Sequence, residues 1–215
     1  YYQYKYDAEI RLTEAWTGTE WENGMLANGK KDAQYKYYLH GPLARTELGV
    51  NVQGMDYAYT LQGWLKGMNS QKLDNSTDPF VQNRDIGRDG APGNNASFNR
   101  DEVGFSLHYF GGDYTPLGGN PSGAFEIGMS NADGSGTGNA LYNGNISRMT
   151  AAIRKFGNTD FKGYSYRYDQ LNRLKSMRAD NINVATSPFI WNIGTDNAYR
   201  EDVTYDGNGN IKTYL

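Results

Sequence analysis

The sequence predicts an all-β protein of antiparallel strand–turn–strand repeats that form a curled, solenoid-like wall. A nine-residue phrase recurs: Tyr4-Lys5-Tyr6-Asp7-Ala8-Glu9-Ile10-Arg11-Leu12 at the start, then Tyr166-Arg167-Tyr168-Asp169-Gln170-Leu171-Asn172-Arg173-Leu174 and Val203-Thr204-Tyr205-Asp206-Gly207-Asn208-Gly209-Asn210-Ile211 near the end. Each copy runs through an aromatic or β-branched residue to Tyr-Asp, a short polar interval and an aliphatic residue, which is the grammar of a hairpin. Composition agrees: 27 glycines and 18 tyrosines stand in 215 residues of which only 38% are hydrophobic. Much of the burial is therefore expected to be aromatic, since tyrosine buries a ring while its hydroxyl keeps a polar partner. The mean hydropathy of -0.77 is low, yet 14% aromatics and repeated strand alternation argue for a folded chain.

The first unit, near residues 1–15, places Tyr4 and Tyr6 on one strand face, because residues two apart share a face. Asp7 then leaves the strand, its carboxylate able to bond the backbone two residues on. The same reading puts Tyr164, Tyr166 and Tyr168 in one stripe before Asp169, and Tyr205 before Asp206. Asn172, Gly207 and Gly209 are expected to supply the positive φ that a tight turn demands. Strands resume at Arg173-Leu174 and at Ile211-Lys212. Weaker copies fall at Tyr35 to Gly41 and Tyr57 to Leu65, where Tyr38 and Thr60 replace the Asp while Gly41 and Gly63 keep the turn. Repeat-like units thus lie near 1–15, 33–48, 55–68, 162–178 and 199–215, within one region that spans 1–215. Their spacing is irregular, which suits variable turns on a spiralling sheet better than a fixed-register solenoid. A single hairpin cannot bury its own face, so the units must stack.

Two intervals break the pattern. Residues 69–104 turn polar, with Asp78-Pro79 and Gly87-Arg88-Asp89-Gly90, and read as an extended crossing over the surface. A strand returns over Phe105 to Phe110, and a second loop occupies 115–140. Leu141 to Ile153 reads as strand–turn–strand around Asn143-Gly144-Asn145, with a short helix over Ser147 to Phe156 as the alternative.

The phrase resembles the YD-repeat, or RHS, family, whose pattern runs approximately Tyr-x-Tyr-Asp-x-x-Gly-Arg-Leu. The match lies in Tyr166, Tyr168, Asp169, Asn172 in the glycine place, Arg173 and Leu174, and in Tyr205, Asp206, Gly207, Gly209 and Ile211. Tyr57 to Met68, Leu107-His108-Tyr109 and Gly112-Asp113-Tyr114 look like RHS proteins of the Bacteroidetes type. The resemblance covers most of the chain and implies a segment of a hollow shell that encloses a C-terminal polymorphic toxin or other cargo. Its implied partners are the remainder of a parent polypeptide and the enclosed domain, and its implied location is secreted or at a bacterial cell surface. Relatives in the family act in adhesion. The family often ends its core with an aspartyl self-cleavage segment containing Asp-Pro; here Asp78-Pro79 lies in the mid-chain loop, so that releasing activity is not implied.

A net charge of -3 and a pI near 5.4 provide no electrostatic footprint for nucleic acid. The absence of cysteine excludes disulfides, thiol catalysis and thiolate metal sites. No apolar stretch approaches the roughly 20 residues that span a bilayer. The chain opens on Tyr1-Tyr2 inside a repeat, without a signal sequence, and is expected to be cut from a longer polypeptide.

Gly24 to Lys31 nearly spells a phosphate loop, but Lys31 stands where Ser or Thr should hold magnesium, so a hairpin loop is expected. Asp206 to Asn210 imitates the start of a calcium loop with Ile211 where Gly is needed, and Asp133 to Gly138 lacks the closing Glu. His40 and His108 have no partner at ligand spacing and read as structural. No cofactor, metal or catalytic residue is therefore assigned, and the chain is read as not an enzyme. Four tryptophans remain. Trp64 and Trp191 lie in strand-like context and read as core anchors, whereas Trp16 and Trp21 are candidates to stack on a sugar ring. They carry the alternative function, a carbohydrate-binding or cell-surface adhesion module with a glycan as partner. A glycan-active enzyme with an unrecognised carboxylate pair is the weaker alternative.

Overall fold

The computed structural model describes residues 1–70, 73, 86–90, 93, 95–116, 125, 140–154, 162–183 and 190–215, without the side chains of 180–198. Among the described residues fourteen strands follow one another: β1 Tyr2–Tyr6, β2 Leu12–Thr17, β3 Glu20–Glu22, β4 Met25–Ala27, β5 Lys30–Tyr37, β6 Leu43–Leu48 and β7 Gln53–Tyr59. After them come β8 Leu65–Met68, β9 Val103–His108, β10 Arg148–Ile153, β11 Lys162–Tyr168, β12 Leu174–Asn183, β13 Ile190–Tyr205 and β14 Ile211–Tyr214. All but β3 and β4 form one 12-stranded sheet in the order β1-β2-β5-β6-β7-β8-β9-β10-β11-β12-β13-β14, while β3 and β4 form a separate hairpin. Every pairing is antiparallel. The sheet is an open meander with β1 and β14 at its edges, and the all-β antiparallel expectation holds. Among the described residues no helix is long and apolar enough to cross a membrane.

The five phrases open onto hairpins of identical register. The tyrosine before the Asp position faces the aliphatic residue that starts the return strand: Tyr6 with Leu12, Tyr37 with Leu43, Tyr59 with Leu65, Tyr168 with Leu174 and Tyr205 with Ile211. A bulge follows at once in each, so two residues of the return strand face one tyrosine and the local twist increases.

Burial contradicts the aromatic expectation. Residues directly opposite in the ladder share a face, and one face runs Ala58–Gly67–Ser106–Thr150–Gly163 across β7 to β11. That face of small and polar residues is the fully buried one. The opposite face carries Tyr57, Met68, Phe105, Leu107, Met149 and Tyr164 and is only half-buried. Among the described residues, buried aromatics are Tyr109 and Phe125. The cause lies in the intervals between repeats: Leu73 and Phe125 come from them and are buried, and a Cβ at Gly67 would collide with the Phe125 ring, as one at Gly104 would with the Ser70 carbonyl. Small residues let these segments lie directly on the sheet. The 69–104 interval is likewise more than a surface crossing, since Asp89 is 5% exposed and Asp101 3%, and β9 begins at Val103. In the 141–153 stretch the strand after the turn is present as β10, whereas the helix over Ser147 to Phe156 does not form where residues are described.

Candidate functional site

Three of these five hairpin tips are built by one carboxylate each. Asp7 Oδ1 accepts the backbone N–H groups of Glu9 and Arg11, both at 2.9 Å. Asp169 Oδ1 accepts those of Leu171 and Arg173 at 2.9 and 3.0 Å, and Asp206 Oδ1 those of Asn208 and Asn210 at 2.9 and 2.8 Å. The second oxygen pairs with the Arg11 guanidinium at 2.7 Å, the Arg173 guanidinium at 2.7 Å, or the Asn210 amide at 2.9 Å. Such bonds favour the charged form, so backbone donation from Arg11 and Arg173 lowers the pKa of Asp7 and Asp169, and the Asn210 side chain chiefly lowers that of Asp206. Thr60 does part of the same work, its Oγ1 accepting the Trp64 N–H at 3.2 Å.

Three residues after each Asp position the backbone is left-handed: Ile10 at φ 63°, Gly41 at 114°, Gly63 at 84°, Asn172 at 61° and Gly209 at 90°. Gly207, given the same task from sequence, is outside that region, because the turn needs one left-handed residue and Gly209 provides it. Ile10 was not expected there, since a β-branched side chain resists positive φ.

Successive tips dock on one another. The Arg11 guanidinium lies 4.6 Å from the Tyr37 ring centroid and that of Arg173 4.3 Å from the Tyr205 ring. The same tyrosines donate their hydroxyls backwards, Tyr37 to the Leu12 carbonyl at 2.8 Å and Tyr205 to the Leu174 carbonyl at 2.7 Å. Trp64 takes the arginine's place against Tyr109, with centroids 5.0 Å apart, and Tyr109 donates to the Leu65 carbonyl at 2.8 Å. Tyr168 donates to Ile146 at 3.0 Å, with Gly144 at φ 88° before it. A sixth tip therefore exists, assembled from Tyr109 and the Gly144–Ile146 stretch. The sequence hid it because the 110–140 interval separates its halves, although Asn143-Gly144-Asn145 marked the turn.

Of the sugar-stacking candidates, Trp16 sits on β2 between Lys5 and Lys31, whose Nζ atoms lie 5.1 and 5.4 Å from its ring. Its Nε1 donates to Glu14 Oε2 at 3.0 Å, and Glu14 pairs with both lysines at 2.8 and 3.1 Å. Those cations hold the Glu14 carboxyl well below the usual carboxylate range. Trp21, on β3, is 45% exposed and meets Tyr1 with centroids 6.3 Å apart. The structure places the two tryptophans in different sheets. Trp64 lies in the tip seam, and the Trp191 side chain, Asp78-Pro79 and Asp133 to Gly138 lie outside the described residues. Gly24 to Lys31 forms β4, a turn at Asn28 and the start of β5. Among the described residues no group of three or more His, Asp or Glu side chains is placed to hold a metal ion. His40 stacks on Tyr38 at 5.2 Å.

Two buried polar clusters escaped the sequence reading. In the first, Arg45 is forked among Glu47 Oε1 at 2.9 Å, Asp89 Oδ1 at 2.7 Å and Asp56. Asp89 also accepts the Gly54 N–H at 3.1 Å, and the guanidinium lies 4.7 Å from the Phe98 ring. In the second, Lys66 Nζ lies 2.7 Å from Asp113 Oδ1 and 2.9 Å from His108 Nδ1. His108 Nε2 meets Ser106 Oγ at 2.7 Å, and Ser106 meets Thr150 at 2.5 Å. Asp113 Oδ2 accepts the Tyr109 N–H at 2.9 Å. Burial lowers the Lys66 pKa to about 8, and burial, with the charges of Lys66 and Arg148, pushes His108 far below its ordinary value. The imidazole is thus neutral, and an Nδ1 that accepts from the ammonium leaves Nε2–H to donate to Ser106. Adjacency on β8, β9 and β10 creates this row, because Gly67 faces Ser106 and Ser106 faces Thr150.

The fold and its tips define an all-β hairpin-repeat protein with an open sheet. No protein-family profile matches the chain, and no curated protein matches it. Among solved structures, a Tc holotoxin pore of Photorhabdus luminescens carrying a TccC3 mutation is similar over 95% of this chain at 14% identity and a TM-score of 0.28. A complex of TcdB2, TccC3 and Cdc42 is similar over 94% of the chain at 13% identity and a TM-score of 0.24. The chain spans 11% and 12% of the length of those chains.

Proposed function

We propose that this chain is a structural segment of an RHS/YD-repeat shell, extended hairpin by hairpin, that encloses a C-terminal toxin or other cargo and performs no catalysis of its own. The observation that carries the reading is the joint between tips. The same hydroxyl-to-carbonyl bond recurs at Tyr37, Tyr109, Tyr168 and Tyr205, four of the five joints between neighbouring tips, while Tyr38 meets Tyr59 edge-on at the other, so a wall grows by repeating nearly the same joint. Its partners are then the rest of the parent polypeptide and the enclosed domain, and its place is outside the bacterial cell or on its surface. The test is limited proteolysis of the parent protein. The enclosed domain is expected to resist protease until substitutions at the tip joints open the wall; equal cleavage in both states would overturn the reading.

A second reading rests on Trp21 and Tyr1, an exposed aromatic pair on the small hairpin, which suits a glycan-binding surface. Titration of the chain with a glycan panel distinguishes it, because binding abolished by Trp21→Ala supports adhesion. Turnover of any glycan in the same panel would favour a glycan-active enzyme.

A further inference from the structure

We propose that Lys66 and Asp113 condense into an intramolecular isopeptide bond that ties β8 covalently to the segment after β9. The inference is independent of the shell reading. Nζ and Oδ1 are 2.7 Å apart with both side chains 0% exposed, so nucleophile and electrophile are held together in a site that excludes the water able to reverse the reaction. Lysine is the buried cation that can yield a proton; the Arg45 cluster, built on a guanidinium, cannot react in this way.

The remaining groups suit the chemistry. Asp113 Oδ1, 2.7 Å from Nζ, accepts the proton that must leave the ammonium before nitrogen attacks, which leaves an amine beside a neutral carboxylic acid, and neutral His108 Nδ1, 2.9 Å from Nζ, accepts the hydrogen bond that orients the amine. The Tyr109 N–H on Oδ2 polarises the carboxyl and stabilises negative charge on that oxygen in the tetrahedral intermediate. The Nζ lone pair attacks Asp113 Cγ, the C–N bond forms, and the bond from Cγ to Oδ1 breaks. Of the three ammonium protons one stays on the amide nitrogen and two pass to Oδ1 and depart with it as water. No oxidant or co-reactant enters. Condensation also removes a buried ion pair whose desolvation is costly, leaving a neutral amide.

Intact mass spectrometry of the purified chain, with folding verified by circular dichroism, tests this directly. The expected mass is one water lighter than the sequence, and proteolysis is expected to release a branched peptide joining Lys66 to Asp113. Lys66→Arg and Asp113→Ala restore the full mass, and His108→Ala slows the loss of water after refolding. Folded wild-type protein at full sequence mass, with linear peptides across both residues, would overturn the proposal. So would a water loss mapped elsewhere, such as a succinimide at Asp89-Gly90 or Asp206-Gly207.

Discussion

Ile10 holds the one tip position where chemistry and conformation disagree. At φ 63° its β-branched side chain sits in a region that costs an L-residue about 1–2 kcal/mol, and at 83% exposed it recovers little by burial. Ile10→Gly is therefore expected to stabilise the chain by about 1 kcal/mol, read as a higher urea midpoint at unchanged m-value; a lower midpoint would mean that the isoleucine packs. The tip carboxylates set a pH dependence. The pKa values of Asp7, Asp169 and Asp206 are lowered on folding, so the unfolded chain binds more protons and stability rises with pH in that range. Their contribution is complete above the unfolded carboxylate value of about 4 and fades as pH falls through the folded values. Asp169→Ala should lower the melting temperature at neutral pH and flatten its decline in acid, while leaving any glycan binding unchanged. An unaltered melt with lost ligand binding would make Asp169 a site residue.

Between elements, the joint from Arg173 to Tyr205 is the testable unit. A double-mutant cycle with Arg173→Gln and Tyr205→Leu is expected to show coupling of about 0.5–1 kcal/mol, the range of a partly exposed cation–π contact; strict additivity would show that the tips stack without interacting. The Arg45 cluster ties a long interval to the sheet. Asp89→Ala strips one partner from a buried guanidinium and leaves the Gly54 N–H without its acceptor, a change that costs about 3–5 kcal/mol in comparable buried pairs. Early protease cleavage near residues 86–100 is the accompanying signature. Similar susceptibility in wild type and variant would place the anchor elsewhere.

At the scale of the molecule the sheet ends, among the described residues, on β1 at one edge and β14 at the other. β14 is exposed along its length and β1 nearly so, and β1 carries Lys5 as its one charge. Unpaired strand edges template further pairing unless charge or proline blunts them. The isolated chain is expected to self-associate in light scattering, with Tyr4→Lys reducing the effect. A monomer at every concentration would instead define a self-contained domain and favour the binding-module reading.

What the sequence determined by itself is whatever closes within a few residues. Asp7, Asp169 and Asp206 bond amides two and four positions ahead, so the hairpin tips, their direction and the all-β class were legible from spacing alone. Ile10 shows the limit of that legibility: its position in the phrase, not its side chain, sets its backbone. Only the tertiary structure decided which face is buried, because the Phe125 ring and the Ser70 backbone arrive from the intervals between repeats and lie against Gly67 and Gly104. The same holds for the sixth tip and for the meeting of Lys66 with His108 and Asp113. Strand pairing brings these residues together, and the register of a ladder depends on every hairpin before it, so no local pattern records the encounter.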